Sequence, residues 1–133
     1  MTPQENTKIV QSAFAAFGRG DIPALLGLLT NDVDWHGVIG VGPKVPQRGP
    51  RKGTNEVATF FQQVGSSVNF ERFEPKHFVA EGDTVVALGY YDGTVKSTGK
   101  RFESEWAMAF TLRGGKIAKF REFTDSLGIT SAF

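Results

Sequence analysis

The sequence RFESEWAMAFTLRGGKIAKFREFT, residues 101–124, contains two extended segments joined by two glycines. In residues 101–112 apolar side chains recur at every second position, which is the pattern of a β-strand with one buried face. Residues 115–124 form the second extended segment, and Gly114-Gly115 is typical of the turn between two paired strands. The stretch therefore predicts an antiparallel hairpin.

Two more extended segments precede this hairpin. They cover residues 68–79 and 84–91 and are separated by Gly82-Asp83, a common turn sequence. Ser97-Thr98-Gly99 separates them from the hairpin. Because each segment follows its neighbour through a short turn, the four segments predict an antiparallel meander.

The first part of the chain has helical patterns instead. Thr2 and Glu5 have the spacing of a capping box, and apolar residues continue at helical spacing as far as Phe17. A short second helix is predicted from a cap at Asp21 to Asn31, because four leucines lie between them. Two linked helices are thus expected to open the domain.

A third helix is predicted between the first strand and the meander. The first strand is expected around residues 33–38, and residues 37–53 form a loop rich in glycine and proline that can serve as a pocket rim. The helix follows from Thr54 to Gly65. Helices followed by hairpin-linked strands indicate one α+β domain over residues 1–133, with helices on one face of a curved antiparallel sheet.

The composition excludes several classes of function. Fifteen basic and fourteen acidic residues give a formal net charge of +1, so no strong field favours nucleic acid or an anionic membrane. The chain has no cysteine, and its two histidines lack the spacing of metal ligands, so no metal or other cofactor is expected. No apolar run approaches the roughly 20 residues of a spanning helix, and no signal peptide is apparent. We therefore expect a soluble, cytoplasmic protein.

Five short motifs occur in an order and spacing that resemble the SnoaL-like family of the nuclear transport factor two superfamily. They are Gly18-x-Gly20-Asp21, Gly82-Asp83-Thr84-Val85, Thr98-Gly99-Lys100, Gly115-Lys116-Ile117 and Phe123-Thr124-Asp125. The resemblance covers nearly the whole chain and implies a cystatin-like fold. In that fold a cone-shaped curved sheet and about three N-terminal helices close a hydrophobic cavity, as in ketosteroid isomerase, limonene epoxide hydrolase and the scytalone dehydratases.

Glu122 is the first candidate for chemistry. By the resemblance, it falls where SnoaL-like cyclases and limonene epoxide hydrolase carry an aspartate that serves as acid or base. Strand alternation groups it with Phe120, and a carboxylate among Phe120, Trp106 and Met108 is desolvated, which raises its pKa toward a useful range. The alternative is a glutamate on a solvated face, paired with a basic neighbour.

Tyr91 and His36 are the other catalytic candidates. Tyr91 can donate its phenol proton to a developing oxyanion, although a core tyrosine with a satisfied hydroxyl is the alternative. His36, beside Trp35 at the mouth of the loop, titrates near neutrality without help, and a structural histidine is its alternative. Many SnoaL-like proteins carry a histidine where this chain has Met108, so the resemblance implies that the acid–base pair is incomplete.

The machinery of two relatives is not carried over. The arginine and aspartate of limonene epoxide hydrolase fall on Gly89 and Tyr91. The tyrosine of ketosteroid isomerase lies on a helix that here offers only Phe14 and Phe17, and its aspartate corresponds to His36 or the following glycine. Since one fold supports different chemistries, the reaction type stays open. Asp125 is expected to be a turn or cap residue.

Two functions are predicted for an aromatic pocket. One is an enzyme without cofactor that isomerises, cyclises or dehydrates an apolar carbonyl compound, with Glu122 as general base and Tyr91 or His36 as polarising donor. The other is a binding module that holds a small hydrophobic molecule unchanged. A third hypothesis, without a ligand, is a structural dimer whose cavity is filled by its own side chains. The expected ligand-binding residues are Phe14, Phe17, Trp35, Phe60, Trp106, Met108 and Phe120.

The resemblance also implies a homodimer. Relatives pack the open faces of their sheets together. In this chain the face opposite the predicted pocket carries Glu103, Glu105, Lys119, Arg121 and Phe123.

Overall fold

The computed structural model describes residues 1–133 as four helices and six strands. The helices are α1 (Pro3–Gly18), α2 (Ile22–Leu26), α3 (Gly53–Ser67) and α4 (Ser126–Ala132). The strands are β1 (Leu29–His36), β2 (Pro50–Lys52), β3 (Val68–Glu81), β4 (Thr84–Val95), β5 (Arg101–Arg113) and β6 (Lys116–Phe123). The predicted α+β class is confirmed.

Helix α1 begins with the predicted capping box. The backbone N–H of Glu5 donates to the Thr2 hydroxyl over 3.1 Å, and the backbone N–H of Thr2 donates to the Glu5 carboxylate over 3.3 Å. These bonds satisfy two of the donors that a helix start leaves free. Val10, Ala13 and Ala16 are buried, so one stripe of the helix faces the core.

The second and third helices differ from their predicted bounds. Helix α2 ends at Leu26, whereas the prediction ran to Asn31, because Leu29 starts a strand that pairs with β6. Sheet pairing buries the Leu29 side chain almost completely, which outweighs the local helical spacing. Helix α3 continues through Gly65 to Ser67, since a helix tolerates an interior glycine at a cost of about 1 kcal/mol.

The sheet is mixed, and the prediction of an all-antiparallel sheet is wrong in this respect. Its order is β2-β1-β6-β5-β4-β3. Strands β3 to β6 form the predicted antiparallel meander, but β1 pairs in parallel with β6. The N-terminal half of the chain therefore reaches the sheet beside the last strand. The sheet stays open, with β2 and β3 as its edges.

A β-bulge interrupts the hairpin of β5 and β6. Thr111 faces Lys119 and the next residue, Leu112, faces Ile117, so Ala118 is the extra residue. As a result Ile117 is fully buried and Ala118, which strict alternation from Phe120 would place on the inner face, is only half-buried. Beyond the bulge, alternation resumes and Glu122 keeps its predicted face.

Two short elements were not predicted. Strand β2 pairs antiparallel with β1 and closes the glycine- and proline-rich loop. Helix α4 follows β6 and packs against β5. Its start is capped by Asp125, whose side chain accepts a hydrogen bond from the backbone N–H of Gly128 over 3.0 Å, and this confirms the predicted capping role.

Helices α1 and α3 pack on the inner face of the sheet. Helix α1 contacts β3 and β4, and helix α3 contacts β1 and β3. Aromatic rings fill much of the space between these layers, with Trp35 stacked on Phe120 at 3.9 Å between ring centroids.

No helix combines the length and the apolar composition needed to cross a bilayer.

Candidate active site

A small cavity lies between the helices and the inner face of the sheet. Its volume is about 90 Å³, and 19 of the 21 residues that line it are hydrophobic. Gln47 and Glu122 are the two exceptions. Ligand sites commonly enclose about 300–1,000 Å³, so the aromatic side chains already occupy much of the space that a ligand would take.

The structure brings six of the seven predicted ligand-binding residues to this cavity. These six are Phe14, Phe17, Trp35, Phe60, Met108 and Phe120. Trp106 is the exception, because its indole ring lies next to Gly89 of β4 and stacks on Phe14 with 5.7 Å between centroids. A Cβ atom at Gly89 would clash with the indole, so the absent side chain of the glycine makes room for the ring. Trp106 thus supports the wall from behind and does not line it.

Glu122 is buried in the wall of the cavity. Glu122 is 5% exposed and forms no ion pair. One carboxylate oxygen, Oε2, accepts from the Tyr91 hydroxyl over 2.7 Å, and the other, Oε1, accepts from the backbone N–H of Val38 over 3.0 Å. Burial raises the pKa of Glu122, and these two hydrogen bonds oppose the rise. The alternative of a solvated glutamate with a basic partner does not apply.

Tyr91 reaches the site from β4, with its ring against the cavity and its hydroxyl on Glu122. Burial and the negative charge of Glu122 raise the pKa of Tyr91 well above its ordinary value. The phenol therefore keeps its proton and donates it in a hydrogen bond. Its acceptor in this structure is the carboxylate of Glu122, whereas the predicted acceptor was an oxyanion of a ligand.

The turn after β1 holds Glu122 from the other side. Val38 has a φ of 40°, a left-handed conformation that a β-branched residue adopts at a cost of about 1–3 kcal/mol. The N–H of Ile39 donates to the Glu122 backbone oxygen over 3.0 Å, next to the bond from Val38. A Cβ atom at Gly37 would lie 2.6 Å from the Phe60 ring and 3.1 Å from Oε1 of Glu122. A side chain at position 37 would thus crowd the carboxylate.

His36 does not belong to the site, and its prediction as a donor in the pocket is wrong. It follows buried Trp35 on β1 and therefore points to the opposite face, where its strand partner is Arg121. Arg121 forms an ion pair with Asp34 over 2.9 Å on this face. Partial burial, followed by the positive charge of Arg121, lowers the pKa of His36, and Asp34 acts in the opposite direction.

Gln47 is a polar lining residue that the sequence analysis missed. It lies in the loop between β1 and β2, is 4% exposed, and its Oε1 accepts from the Ser67 hydroxyl over 3.1 Å. With the amide in this orientation, the Nε2 group donates no hydrogen bond within the protein, and the residue lines the cavity. No local pattern marks a single glutamine between Pro46 and Arg48, so only the folded loop reveals it.

The polar atoms at the cavity suit an uncharged ligand with a hydrogen-bond acceptor. The polar side-chain groups of the lining residues are one carboxylate, one phenol, one amide and the indole N–H of Trp35. A metal ion commonly takes four or more nitrogen, oxygen or sulfur ligands, and no group of three or more His, Cys, Asp or Glu residues with that geometry occurs in the structure. The arrangement can exchange a proton with a ligand and orient the ligand's acceptor.

Solved structures share this architecture. An NTF2-like protein from Burkholderia xenovorans LB400 is 36% identical, with a TM-score of 0.88 over 99% of this chain and 98% of that one. An NTF2-like protein from Burkholderia thailandensis E264 is 29% identical, with a TM-score of 0.86 over 99% and 98%. A proposed polyketide cyclase from Xanthomonas campestris pv. campestris is 21% identical, with a TM-score of 0.77 over 98% and 97%, and shows the fold alone.

Family membership follows from the sequence match as well. Among curated protein sequences, none matches the chain at a significant level. The family model described as "SnoaL-like domain" matches residues 10–120, which is most of the chain. The protein therefore belongs to the SnoaL-like family and has an NTF2-like fold.

Proposed function

We propose that this protein is an enzyme that works without a cofactor and moves a proton on a small apolar carbonyl compound, with Glu122 as general base and acid. One observation carries the proposal. The Glu122 carboxylate is buried in an apolar cavity wall, without a cation, and is held by two directed hydrogen bonds. Burial raises its pKa toward the range in which a carboxylate exchanges protons near neutral pH.

The buried Glu122 carboxylate and the turn that holds it lower the stability of the fold. A buried carboxylate without a cation costs free energy, and an apolar or amide side chain of similar size would avoid that cost. The left-handed conformation of Val38 adds strain at the same place. Such costs concentrate at functional sites, because a reactive group must be desolvated and held in place.

The chemistry can be described from the residues present. Glu122 takes a proton from the carbon next to the ligand's carbonyl, and the electron pair of that C–H bond forms an enolate. The free Nε2 group of Gln47 is the candidate donor to the enolate oxygen. Return of the proton from Glu122 to another carbon of a conjugated enolate gives isomerisation, and its delivery to a leaving hydroxyl gives dehydration. Attack of the enolate carbon on a second carbonyl of the same compound forms an alkoxide, which takes the proton from Glu122, and gives cyclisation.

The present cavity limits the ligand. A volume of about 90 Å³ is well below the roughly 300–1,000 Å³ of common ligand sites. A larger ligand requires the lining rings to turn or the loop between β1 and β2 to move. The proposed polyketide cyclase among the similar structures is consistent with a carbonyl compound but, at 21% identity, does not assign one.

The first test is thermal unfolding of the purified chain against a panel of apolar ketones, steroids, terpenoid epoxides and fatty acids. A ligand at 100 times its Kd adds about 2.7 kcal/mol to the unfolding free energy. The compound that shifts Tm is then incubated with the wild type, with Glu122→Gln and with Glu105→Gln, a control on the exposed outer face. We expect conversion by the wild type and the control only. Undiminished conversion by Glu122→Gln would contradict the proposal.

Binding without conversion is the second candidate function. Met108 on β5 is the direct strand partner of Glu122, and its thioether cannot give or take a proton. The site thus has one proton-transfer group where many relatives have two. Tight binding that leaves the compound unchanged in the wild type would support this function, and any catalysed conversion would exclude it.

We also propose a homodimer and a cytoplasmic location. On the outer face of the sheet, Leu88, Ala107 and Phe123 lie side by side on β4, β5 and β6. Leu88 is 43% exposed and Phe123 50% exposed, so a second copy could bury this apolar row. The location rests on the absence of cysteine, since a fold without disulfides suits a reducing compartment.

A further inference from the structure

The protein supplies no counter-charge for an ionised Glu122. The 21 residues that line the cavity include no lysine, arginine or histidine, and Glu122 is the one charged residue among them. Glu122 also takes part in none of the ion pairs of the fold. Buried charges in proteins are normally paired, because a charge that leaves water loses its solvation and needs an opposite charge in return. A cation that pairs with Glu122 must therefore come from outside the chain.

The carboxylate keeps hydrogen-bonding capacity for such a cation. A carboxylate has two oxygens with about four lone-pair sites between them. The Tyr91 hydroxyl takes one site on Oε2, and the backbone N–H of Val38 takes one on Oε1. Each oxygen can thus accept a further donor. Since the two present donors are uncharged, they orient the carboxylate without neutralising it.

Aromatic rings form most of the cavity wall. Twelve of the 21 lining residues are Phe, Tyr or Trp. The rings are inclined to one another, by 82° between Phe60 and Phe61 and by 55° between Phe110 and Phe120, so they surround the cavity from several sides. The face of an aromatic ring attracts a cation, most strongly where water is excluded. The wall therefore favours a positive charge that carries apolar surface.

We propose that the cavity binds a small apolar amine in its protonated form, with the ammonium group paired to Glu122 and the hydrocarbon part against the aromatic rings. This binding goes beyond the proton transfer proposed above and does not depend on it. An uncharged carbonyl compound leaves the carboxylate without a counter-charge, whereas a protonated amine supplies one. Because the amine would occupy the oxygens of the general base, it would also inhibit the proposed reaction.

Desolvation of the ammonium group opposes this binding. Two features offset part of that cost. Folding has already removed the carboxylate from water, so only the ligand loses its hydration on binding. The hydrocarbon part of the amine gains free energy when it leaves water. The cavity of about 90 Å³ is smaller than an apolar cavity of about 150 Å³ that holds benzene, so a probe of about five heavy atoms suits it.

A Glu122 that stays neutral in the complex would give a different ligand preference. Burial raises the pKa of Glu122 and so favours the protonated carboxyl, which has no charge to offer a cation. A neutral carboxyl would bind an alcohol at least as well as an ammonium ion of the same shape. The preference between two such ligands therefore separates the ion pair from a site that accepts only uncharged compounds.

The test compares tert-butylammonium with tert-butanol, which have the same shape and differ in charge. Binding is followed by NMR through the methyl group of Met108, which lines the cavity as the strand partner of Glu122. Its signal is identified by its loss in Met108→Leu. The titrations are made at about pH 8, well below the pKa of about 10.4 of an alkylammonium group. We expect the wild type to bind the ammonium ion at least about 10-fold more tightly than the alcohol.

Two variants show whether the preference comes from Glu122. Glu122→Gln keeps the size of the side chain and removes its charge, so it should lose the preference for the ammonium ion. Glu105→Gln, the same change on the exposed outer face, should keep it. Equal binding of the two compounds by the wild type would overturn the proposal, and so would a preference that survives in Glu122→Gln.

A titration with tert-butylammonium that leaves the Met108 signal unshifted would overturn the proposal as well, because the cation would then not enter the cavity. No turnover is measured in these titrations. Failure of amine binding and failure of the proposed function are therefore distinguishable.

Discussion

The hydrogen bond between Tyr91 and Glu122 allows a quantitative prediction for Tyr91→Phe. The 2.7 Å bond is buried on both sides and has a carboxylate as acceptor. A hydrogen bond to a charged group contributes about 1.5–3 kcal/mol, compared with about 0.5–1.5 kcal/mol between neutral groups. We therefore expect Tyr91→Phe to cost about 2 kcal/mol when Glu122 is ionised, which lowers Tm by roughly 6–10 °C.

The cost should depend on pH. The bond from Tyr91 lowers the pKa of Glu122 against the larger effect of burial, so its loss raises that pKa further. Below both folded pKa values the carboxyl is neutral and Tyr91→Phe costs only a neutral bond. As pH rises through the wild-type value toward that of the variant, only the variant resists ionisation, and its relative stability falls. Above both values the difference is constant.

The assay is urea unfolding across this pH range in a double-mutant cycle with Glu122→Gln. In the Gln background the cost of Tyr91→Phe should shrink by about 1–2 kcal/mol and lose its pH dependence. Tyr90→Phe is the matched control, since this phenol lies on the outer face and bonds to Asp92, and its cost should add to that of Glu122→Gln. Equal costs of Tyr91→Phe in both backgrounds at every pH would refute the idea that Tyr91 holds a charged carboxylate.

Three further predictions concern the same regions. The first concerns the stability of Glu122→Gln relative to the wild type, which should rise with pH above the ordinary glutamate pKa of 4.5. The reason is that the folded wild type has a raised pKa at Glu122, so the wild type loses stability as pH increases from 4.5 through that raised pKa. A difference in urea unfolding free energy that stays constant with pH would contradict the burial of an ionisable group. Gly37→Ala should destabilise the fold by about 1–3 kcal/mol, because the new Cβ atom would clash with the Phe60 ring. Gly65→Ala should stabilise the fold by about 0.5–1 kcal/mol, because open space surrounds this position in α3. Calorimetry of both variants checks the two signs. Phe123→Arg should convert the proposed dimer to a folded monomer in sedimentation equilibrium, and a monomeric wild type would end the dimer proposal.

The sequence predicted features that depend on neighbouring residues. The capping box at Thr2 and Glu5 was confirmed, as were the meander and the cap at Asp125, because each is encoded within a few positions. Alternation grouped Glu122 with Phe120, and the structure places both on the inner face. The same alternation along β1 places Trp35 on the inner face and His36 on the outer face.

Other features follow from contacts between residues far apart in the chain, and the sequence did not reveal them. The parallel pairing of β1 with β6 ended α2 early. The bulge at Ala118 placed Ile117 on the inner face, where strict alternation would have placed Ala118. Gln47 and Val38 entered the site only because the loop folds back over the cavity.

Local sequence thus determined the α+β class, the helix caps, the strand hairpins and the grouping of Glu122 with Phe120 on one strand face, since caps, turns and side-chain periodicity act over a few residues. Tertiary structure alone decided that Tyr91 donates to Glu122, that a left-handed Val38 holds the other carboxylate oxygen, and that the cavity measures only about 90 Å³. These three features depend on how three strands, two helices and one loop pack against one another. Burial and hydrogen bonding across that distance set the chemistry of the carboxylate.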